Sequence, residues 1–312
     1  MSIVNYQNLE RVKYFELEDY INNIKLEKYL LEHLDETSAQ FDKYLKYLLQ
    51  YDSYAAIYYL IDSFNKEVRA SQAIENIYRK NNLMFDESVF FDTLNISHSR
   101  IHKIHDFVMD GRINDSEKQC EQYRTVPVRV SKLLPSGEEF IFWHGAEPED
   151  VKKFMDKFIK VYKQSEMSLV MSHPLLKSAL IHLLFLRIHP YKDGNGRTSR
   201  MLHNIKFTDL VNRTYGMNLK ICPLNISGSI NINKPTYANR IDSIYFDIEH
   251  DTNEAINKWF DFILNMYDEQ LYYNTNRINE MADGLINISG YKSSDSQEFL
   301  NRIEKMRIKK FT

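Results

Sequence analysis

The sequence predicts a mainly α-helical protein that carries one β-hairpin. Its 312 residues include only nine glycines and seven prolines, which favours long helices over a sandwich rich in hairpins. Apolar residues recur at helical spacing in most of the chain, and the alternation typical of strands is clear in one segment, 123–143. The length allows one large domain or two modest ones.

Residues 1–95 are predicted to form an N-terminal region of two to four helices, because charged and apolar residues alternate there at helical spacing. Inside this region we expect a helix over about 69–80. It places Ser71 and Glu75 four residues apart and therefore on one face. Taken alone, this S-x-x-x-E-N pattern is more typical of a solvated helix face than of a functional site.

Residues 96–270 are predicted to form the core domain. It opens with three histidines at helical spacing, which we interpret as part of an amphipathic helix because no cysteine or carboxylate completes a metal site. The hairpin over 123–143 follows, with alternating valines before a Pro-Ser-Gly turn and alternating phenylalanines after it. Helices are then expected over Asp150–Ser165 and Pro174–Ile188, and the second is apolar all round, as buried central helices are.

The end of the chain and the composition add weaker constraints. A helix over Glu254–Leu271 is expected to close the core, and 271–312 is a predicted C-terminal helical tail. A net charge of −3 offers no general attraction to nucleic acid or to an anionic membrane. No apolar run reaches membrane-spanning length, and the first residues are charged where a signal peptide is apolar. Because Cys120 and Cys222 are interpreted as reduced thiols, we expect a cytoplasmic protein.

The most informative segment is the loop motif, residues 189–200, which has the sequence H-P-Y-K-D-G-N-G-R-T-S-R. Gly194 and Gly196 allow backbone N–H groups to face an anion. The helix expected from Asn195 onwards adds the positive end of its dipole. This segment therefore predicts an anion-binding loop at the start of a helix.

The charged side chains of the loop motif complete a site for a polyphosphate. Arg197 and Arg200 are three residues apart, so they share one helix face and can hold two phosphates. Asp193 is a hard oxygen ligand that suits Mg²⁺ bound to those phosphates. His189 can accept a proton near neutral pH. Together these residue types indicate an enzyme that handles phosphate groups.

The loop motif resembles the active-site signature of the Fic family, H-x-F-x-[DE]-G-N-G-R-x-x-R, with Tyr191 at the aromatic position. The resemblance implies a Fic-type helical bundle with one β-hairpin flap beside the active-site loop. It implies a protein adenylyltransferase (AMPylator), which transfers AMP from Mg·ATP to a Tyr, Thr or Ser hydroxyl of a target protein. His189 would be the catalytic base, Asp193 would hold Mg²⁺, and Arg200 would orient the γ-phosphate. The other ATP-binding residues that the resemblance implies are Gly194, Asn195, Gly196 and Arg197.

The resemblance also implies regulation and a place for the protein substrate. Many Fic proteins carry an inhibitory helix with the pattern [ST]-x-x-x-E-[GN], and the run from Ser71 through Glu75 to Asn76 fits it. Glu75 would pair with Arg200 and so occupy the guanidinium that the γ-phosphate needs. A target segment would align on the flap hairpin by strand addition.

Base recognition and the exact reaction are less well defined by the sequence. Ser227 followed ten residues later by Tyr237 resembles the family's adenine-pocket segment, so Tyr237 is expected to stack on adenine, although Ala238 replaces a second tyrosine.

The kinase-like branch of the family has a lysine at the position of Gly196, which favours AMP transfer over phosphate transfer here. Removal of AMP from a modified protein, with Glu75 positioning a water, is one alternative. A non-catalytic nucleotide-binding interaction module is another, and a homo-oligomer stays open.

Overall fold

The computed structural model describes residues 21, 24–50, 53–77, 96–109, 122–133, 137, 139–164, 168–241 and 252–282. Its N-terminal helices are α1 (Lys28–Gln50), α2 (Ser53–Ile74) and α3 (His98–Met109). Two strands follow, β1 (Arg129–Leu133) and β2 (Glu139–His144). The later helices are α4 (Pro148–Lys163), α5 (Leu169–Ser172), α6 (Pro174–Ile188), α7 (Asn195–Tyr215), α8 (Ser227–Ile232), α9 (234–241) and α10 (Thr252–Ala282).

The helices that the sequence predicts for the core are present, and α6 has the predicted bounds. Helix α4 begins two residues before the predicted start, at Pro148, because the first turn of a helix does not need the N–H that proline lacks. Helix α10 runs past the predicted end because Leu271 and Ile278, two turns apart, are both buried. The predicted tail, 271–312, therefore begins inside α10, and its part beyond 282 lies outside the described residues.

Helices α6 and α7 form the buried centre of the fold. Every residue of α6 is buried, and so is α7 from Asn195 to Val211 except for Gly196. The two helices pack on each other, while α1 packs on α10 and α2 on α8. Because the loop motif joins α6 to α7, a buried helix fixes each of its ends. Within the described ranges, no helix is both long and apolar enough to cross a membrane.

Strands β1 and β2 lie at the predicted hairpin, 123–143, and pair antiparallel. Arg129 lies opposite His144 and Leu133 opposite Glu139, with an irregularity in register between Val130 and Ser131. Most of the predicted turn and the side chains of both strands lie outside the described residues. The function of this hairpin as a flap therefore stays a prediction.

A histidine joins α1 to α10 through two carboxylates. His33 Nδ1 lies 3.2 Å from Asp261 Oδ1, and His33 Nε2 lies 2.8 Å from Asp268 Oδ2. Because carboxylate oxygens accept hydrogen bonds, a protonated imidazole can donate to both at once. Burial lowers the pKa of His33, but the hydrogen bonds to Asp268 and Asp261 outweigh burial and raise the pKa above its ordinary value.

We expect this contact to stabilise the fold more at acidic than at basic pH. A group whose pKa is raised by folding stabilises fully below its unfolded pKa, about 6.5 for histidine, and this contribution disappears as the pH rises through the folded pKa. His33→Gln should lower the free energy of unfolding by about 1 kcal/mol at about pH 5.5 and by clearly less at about pH 8.5. Urea unfolding at both pH values measures this, with the exposed Lys28→Gln as control. Equal losses at both pH values would contradict the proposed contact.

Candidate active site

The loop motif begins with a histidine in a left-handed backbone conformation. His189 is the C-cap of α6, with φ 52° and ψ 59°, a conformation that costs a residue with a side chain about 1 kcal/mol or more. Its N–H donates to Phe185 O at 3.0 Å and so completes the last turn of α6. The chain enters α7 through Gly194, whose φ of 81° favours glycine.

The imidazole of His189 has the protonation state that a general base needs. Its Nδ1 lies 3.2 Å from Leu186 O, and because a carbonyl only accepts, Nδ1 carries the hydrogen and Nε2 the lone pair. Burial lowers the pKa of His189 to about 4, and the positive charge of Arg124 acts in the same direction. The Leu186 hydrogen bond and the charges of Glu75 and Asp193 act in the opposite direction. The ring is therefore neutral near pH 7.

Asn195 fixes the backbone of the loop motif at Tyr191. The Tyr191 N–H donates to Asn195 Oδ1 at 3.0 Å, and Asn195 Nδ2 donates to Tyr191 O at 2.7 Å. The side chain of Asn195 thus forms a reciprocal pair of hydrogen bonds with Tyr191, and its ATP contact stays a prediction. Its side chain gives the loop its shape, because both polar ends of the amide are used by one residue of that loop.

Helix α3 forms the platform beneath the loop motif. The Tyr191 hydroxyl is hydrogen-bonded to His102 Nδ1 at 2.8 Å, and the Tyr191 ring stacks on His105 with 3.7 Å between centroids. His105 Nε2 donates to Asp193 O at 3.0 Å. A Cβ at Gly194 would lie 2.5 Å from Met109 Sδ, so only glycine allows this close approach.

Asp193 and Arg197 lie side by side at the start of α7. Arg197 NH2 lies 3.0 Å from Asp193 Oδ1, and the same carboxylate oxygen accepts from the Gly194 N–H at 2.6 Å. The Arg197 guanidinium is buried, whereas the Asp193 side chain is 65% exposed. An exposed carboxylate beside an anion site fits Mg²⁺, which proteins often hold through one or two carboxylates and the phosphates of the substrate.

Arg200 is buried and bound to Ser71, in the last turn of α2, and to Glu75, the residue after its end. Its NH2 lies 2.9 Å from Glu75 Oε1 and donates to Ser71 O at 2.9 Å, while its Nε donates to Ser71 Oγ at 2.8 Å. Arg200 is 1% exposed, whereas the Glu75 side chain is 39% exposed. The structure thus places Arg200 in contact with Ser71 and Glu75, the serine and glutamate of the S-x-x-x-E-N pattern.

The helix end places Glu75 for this contact. Helix α2 ends at Ile74, not near residue 80 as predicted, because Asn76 adopts a left-handed conformation with φ 57°. The Asn76 N–H donates to Ala73 O at 2.9 Å and the Ile77 N–H donates to Gln72 O at 3.0 Å, the two bonds of a Schellman cap. Asparagine suits this position because it tolerates positive φ better than most residues. Residues 78–80 lie outside the described chain.

The carboxylate of Glu75 lies directly over the start of α7. A Cβ at Gly196 would be 2.5 Å from Glu75 Oε1 and 3.1 Å from Arg200 NH1. A negative side chain is unfavourable at the C-terminal end of its own helix but favourable at the N-terminal end of another. Glu75 therefore lies at the end of the loop motif where the sequence predicts an anion site.

Tyr237 lies in the core, and its predicted stacking on adenine stays a prediction. It is 5% exposed, and its ring stacks on Phe262 with 6.1 Å between centroids. Its hydroxyl is hydrogen-bonded to His182 Nε2 at 2.9 Å. Helix α10 covers one side of the Tyr237 ring through Phe262. Burial raises the pKa of Tyr237 to about 12, although the charge of Arg200 opposes the shift.

Sequence reasoning missed three residues that position the loop motif. His102 and His105 are visible in the sequence only as part of a helix face, and nothing in that spacing indicates that they contact Tyr191 and Asp193. Arg124, immediately before the hairpin, donates from Nε to His189 O at 2.7 Å. Its position next to a predicted strand is the only signal that it gives.

Residues 95–205 match the model of the Fic/DOC family. Over these residues, about a third of its length, the chain contains a Fic domain. It is 35% identical over 83 residues to a protein adenylyltransferase Fic of Culex quinquefasciatus, and the match covers 27% of this chain and 14% of that protein. The chain thus matches a small part of the length of this curated relative.

Two solved structures of Fic proteins have the same fold. A Fic family protein from Desulfovibrio desulfuricans has a TM-score of 0.53 at 17% identity, and the match covers 89% of this chain and 85% of that one. A Fic domain containing signaling protein from Bacteroides thetaiotaomicron has a TM-score of 0.50 at 17% identity, with 79% of this chain and 97% of that one covered. At these identities the likeness shows the fold alone, and it confirms the mainly helical, Fic-type architecture.

We expect the hydroxyl of Tyr191 to anchor the loop motif to α3. Tyr191→Phe restores the family's usual residue but removes the buried hydrogen bond to His102, which should lower the free energy of unfolding by about 1 kcal/mol. Urea unfolding measures the difference. The matched control is Tyr272→Phe, at an exposed tyrosine, which should unfold like the wild type. Unchanged stability in Tyr191→Phe would show that the hydroxyl does not anchor the loop.

Proposed function

We propose that this Fic-family chain is a protein adenylyltransferase that transfers AMP from Mg·ATP to a Tyr, Thr or Ser hydroxyl of a target protein, and that Glu75 inhibits it by pairing with Arg200. One observation carries the proposal: a neutral His189 lies on the same loop as an anion site that the carboxylate of Glu75 covers. The name of the Culex relative, a protein adenylyltransferase, supports the choice of reaction.

In the proposed reaction, His189 Nε2 takes the proton of the target hydroxyl as the oxygen attacks the α-phosphorus of ATP. A bond forms between that oxygen and the α-phosphorus, and the bond from the α-phosphorus to the bridging oxygen breaks. Pyrophosphate leaves with the electron pair, and the proton stays on the imidazole. Before the transfer, the hydrogen bond from Nδ1 to Leu186 O holds the neutral ring in the tautomer whose Nε2 can accept this proton.

The phosphates of ATP are proposed to lie at the start of α7. The amides of Gly194 and Gly196 and the helix dipole attract negative charge there, and Arg197 and Arg200 add two positive charges. Among the described residues no group of three histidines, cysteines or carboxylates could hold a metal alone. Asp193 would hold Mg²⁺ together with the phosphates, and the bound ion would neutralise part of their charge.

The proposed inhibition follows from the position of Glu75. Its carboxylate occupies one side of the Arg200 guanidinium and lies over Gly196, so a γ-phosphate cannot use the same contacts. It also places a negative charge where the phosphates must lie. ATP that enters is held in a geometry unsuited to in-line attack. Removing the carboxylate should therefore raise the transfer rate.

The hairpin and the division of the chain complete the proposal. Among the described residues, strands β1 and β2 form a two-stranded sheet. An extended target segment would add to an edge of this sheet by main-chain hydrogen bonds. The region 1–95 would carry the inhibitory residues, 96–270 the Fic core, and 271–312 a C-terminal tail. The partners proposed are ATP and a protein substrate.

Position-specific labelling of ATP tests the proposed function. Wild type, Glu75→Gly, Glu75→Gln and Glu75→Gly/His189→Ala are incubated with Mg·ATP labelled on the α- or the γ-phosphate, alone and with a cell lysate. Glu32→Gln, at an exposed glutamate on α1, is the matched control. We expect protein labelling from the α-position only, on the order of tenfold or more above wild type in both Glu75 variants, because each removes the ion pair.

The double variant distinguishes the base from a structural residue. Glu75→Gly/His189→Ala should transfer no label while it binds ATP as tightly as Glu75→Gly, as measured by calorimetry. Label from the γ-position would identify a kinase, and flat activity in both Glu75 variants would disprove the inhibitory role. If no variant transfers label, release of AMP from a previously modified protein is measured next, since that reaction would use the same site.

The pH dependence of transfer should reflect the low pKa of His189. Since burial holds this pKa at about 4, the ring is neutral over the whole range in which an ordinary histidine titrates. In Glu75→Gly the rate at low ATP concentration should stay nearly constant from about pH 8 to about pH 5.5 and fall below that. A half-maximal rate near pH 6.5 would contradict the low pKa. Circular dichroism at each pH controls for unfolding.

A further inference from the structure

Arg124 is a buried arginine whose contacts join the loop motif to the hairpin. It is 4% exposed and lies five residues before β1. Its backbone N–H donates to Pro190 O at 2.9 Å, and its side-chain Nε donates to His189 O at 2.7 Å. One residue therefore binds two successive carbonyl groups at the start of the loop motif.

The other nitrogens of the same guanidinium bind both ends of the hairpin. Arg124 NH1 donates to Val126 O at 2.9 Å, just before β1, and NH2 donates to Ala146 O, just after β2. The Gly145 N–H donates to Val128 O at 3.0 Å and keeps the two ends together. The planar fork of the guanidinium thus contacts three backbone carbonyls in three chain segments.

This arrangement bears on the backbone strain at His189. A positive φ at a residue with a side chain persists only when its surroundings determine it strongly, and Arg124 binds the carbonyl of that residue. A lysine carries the same charge, but its ammonium is compact and cannot reproduce the fork. The shape of the guanidinium, more than its charge, therefore fixes the His189 backbone relative to the hairpin ends.

We propose that Arg124 is a positioning residue that sets the direction of His189 relative to the hairpin, so that a target hydroxyl aligned on the hairpin meets Nε2. This inference rests on the proposed transfer of AMP to a protein. The contacts of Arg124 lie at His189 and Pro190, at the start of the loop motif, whereas the anion site lies at Gly196 and Arg200, near its end. Substitution of Arg124 should therefore slow transfer without weakening nucleotide binding.

The test measures the transfer rate and the ATP affinity of Arg124 variants that also carry Glu75→Gly, the substitution that removes the proposed inhibition. Arg124→Lys and Arg124→Ala are made in Glu75→Gly, with Arg213→Lys, a half-exposed arginine at the end of α7, as matched control. Transfer to protein from α-labelled ATP is measured at saturating ATP, and the Kd for ATP is measured by calorimetry. We expect Arg124→Lys to lose on the order of tenfold or more in rate, the effect of a misdirected base, with a Kd within about twofold of the parent.

Chemical rescue with guanidinium ion distinguishes the loss of a positioning contact from a general destabilisation of the loop motif. Arg124→Ala leaves a buried space of the size of a guanidinium beside three carbonyls, so millimolar guanidinium ion should restore part of its transfer rate. The same addition should leave the parent and Arg213→Lys unchanged. Rescue in Arg124→Ala alone supports a positioning role of the guanidinium.

The outcomes separate the inference from the proposed function. If the Glu75→Gly parent transfers no label, the proposed function is wrong and the inference falls with it. If the parent is active and Arg124→Lys transfers at the parental rate, only the inference is overturned. A rate loss matched by an equal loss of ATP affinity, with no rescue by guanidinium, overturns it as well, because the Arg124 contacts would then support the loop as a whole.

Discussion

The buried positive charge of Arg200 is the constraint on which the arrangement of α2, the loop motif and α7 depends. A guanidinium that is 1% exposed needs hydrogen-bonding partners and an opposite charge. Ser71 and Glu75 supply both in this structure. A phosphate in the same place would also supply both, so exchange of the carboxylate for ATP leaves the charge compensated. In the proposed function, inhibition is therefore a competition between two anions for one buried cation.

The geometry of α2 allows this competition to be local. Glu67, Ser71 and Glu75 are spaced four apart and face α7 along one stripe of the helix. Glu67 accepts from Asn204 Nδ2 at 2.8 Å and from the Ser227 N–H at 2.9 Å, so the inner end of the stripe is held by buried contacts. Glu75 lies at the helix end and is 39% exposed. In the proposed release of inhibition, only this side chain has to turn away, and the rest of α2 stays packed.

The sequence predicted those features that depend on residues close together in the chain. The bounds of α6 follow from a proline at its start and an apolar run, and the anion loop follows from the glycines and arginines of one segment. The pairing of Glu75 with Arg200 came from a family resemblance. The contacts of Arg124 with backbone carbonyls and the burial of Tyr237 against α10 depend on how distant segments pack, and no local pattern encodes them. The early end of α2 depends on the φ of a single residue, Asn76.

The two halves of the loop motif are held by different contacts. The half that carries His189 and Tyr191 is fixed by hydrogen bonds to α3 and Arg124, which do not involve the anion site. The half that carries Gly196 and Arg200 is covered by Glu75, which ATP displaces in the proposed function. Strain of about 1 kcal/mol or more at His189 is tolerated because fixed contacts offset it in the resting state. In the proposed function, the base is therefore in place before ATP binds, and the inhibition acts on how the phosphates are held.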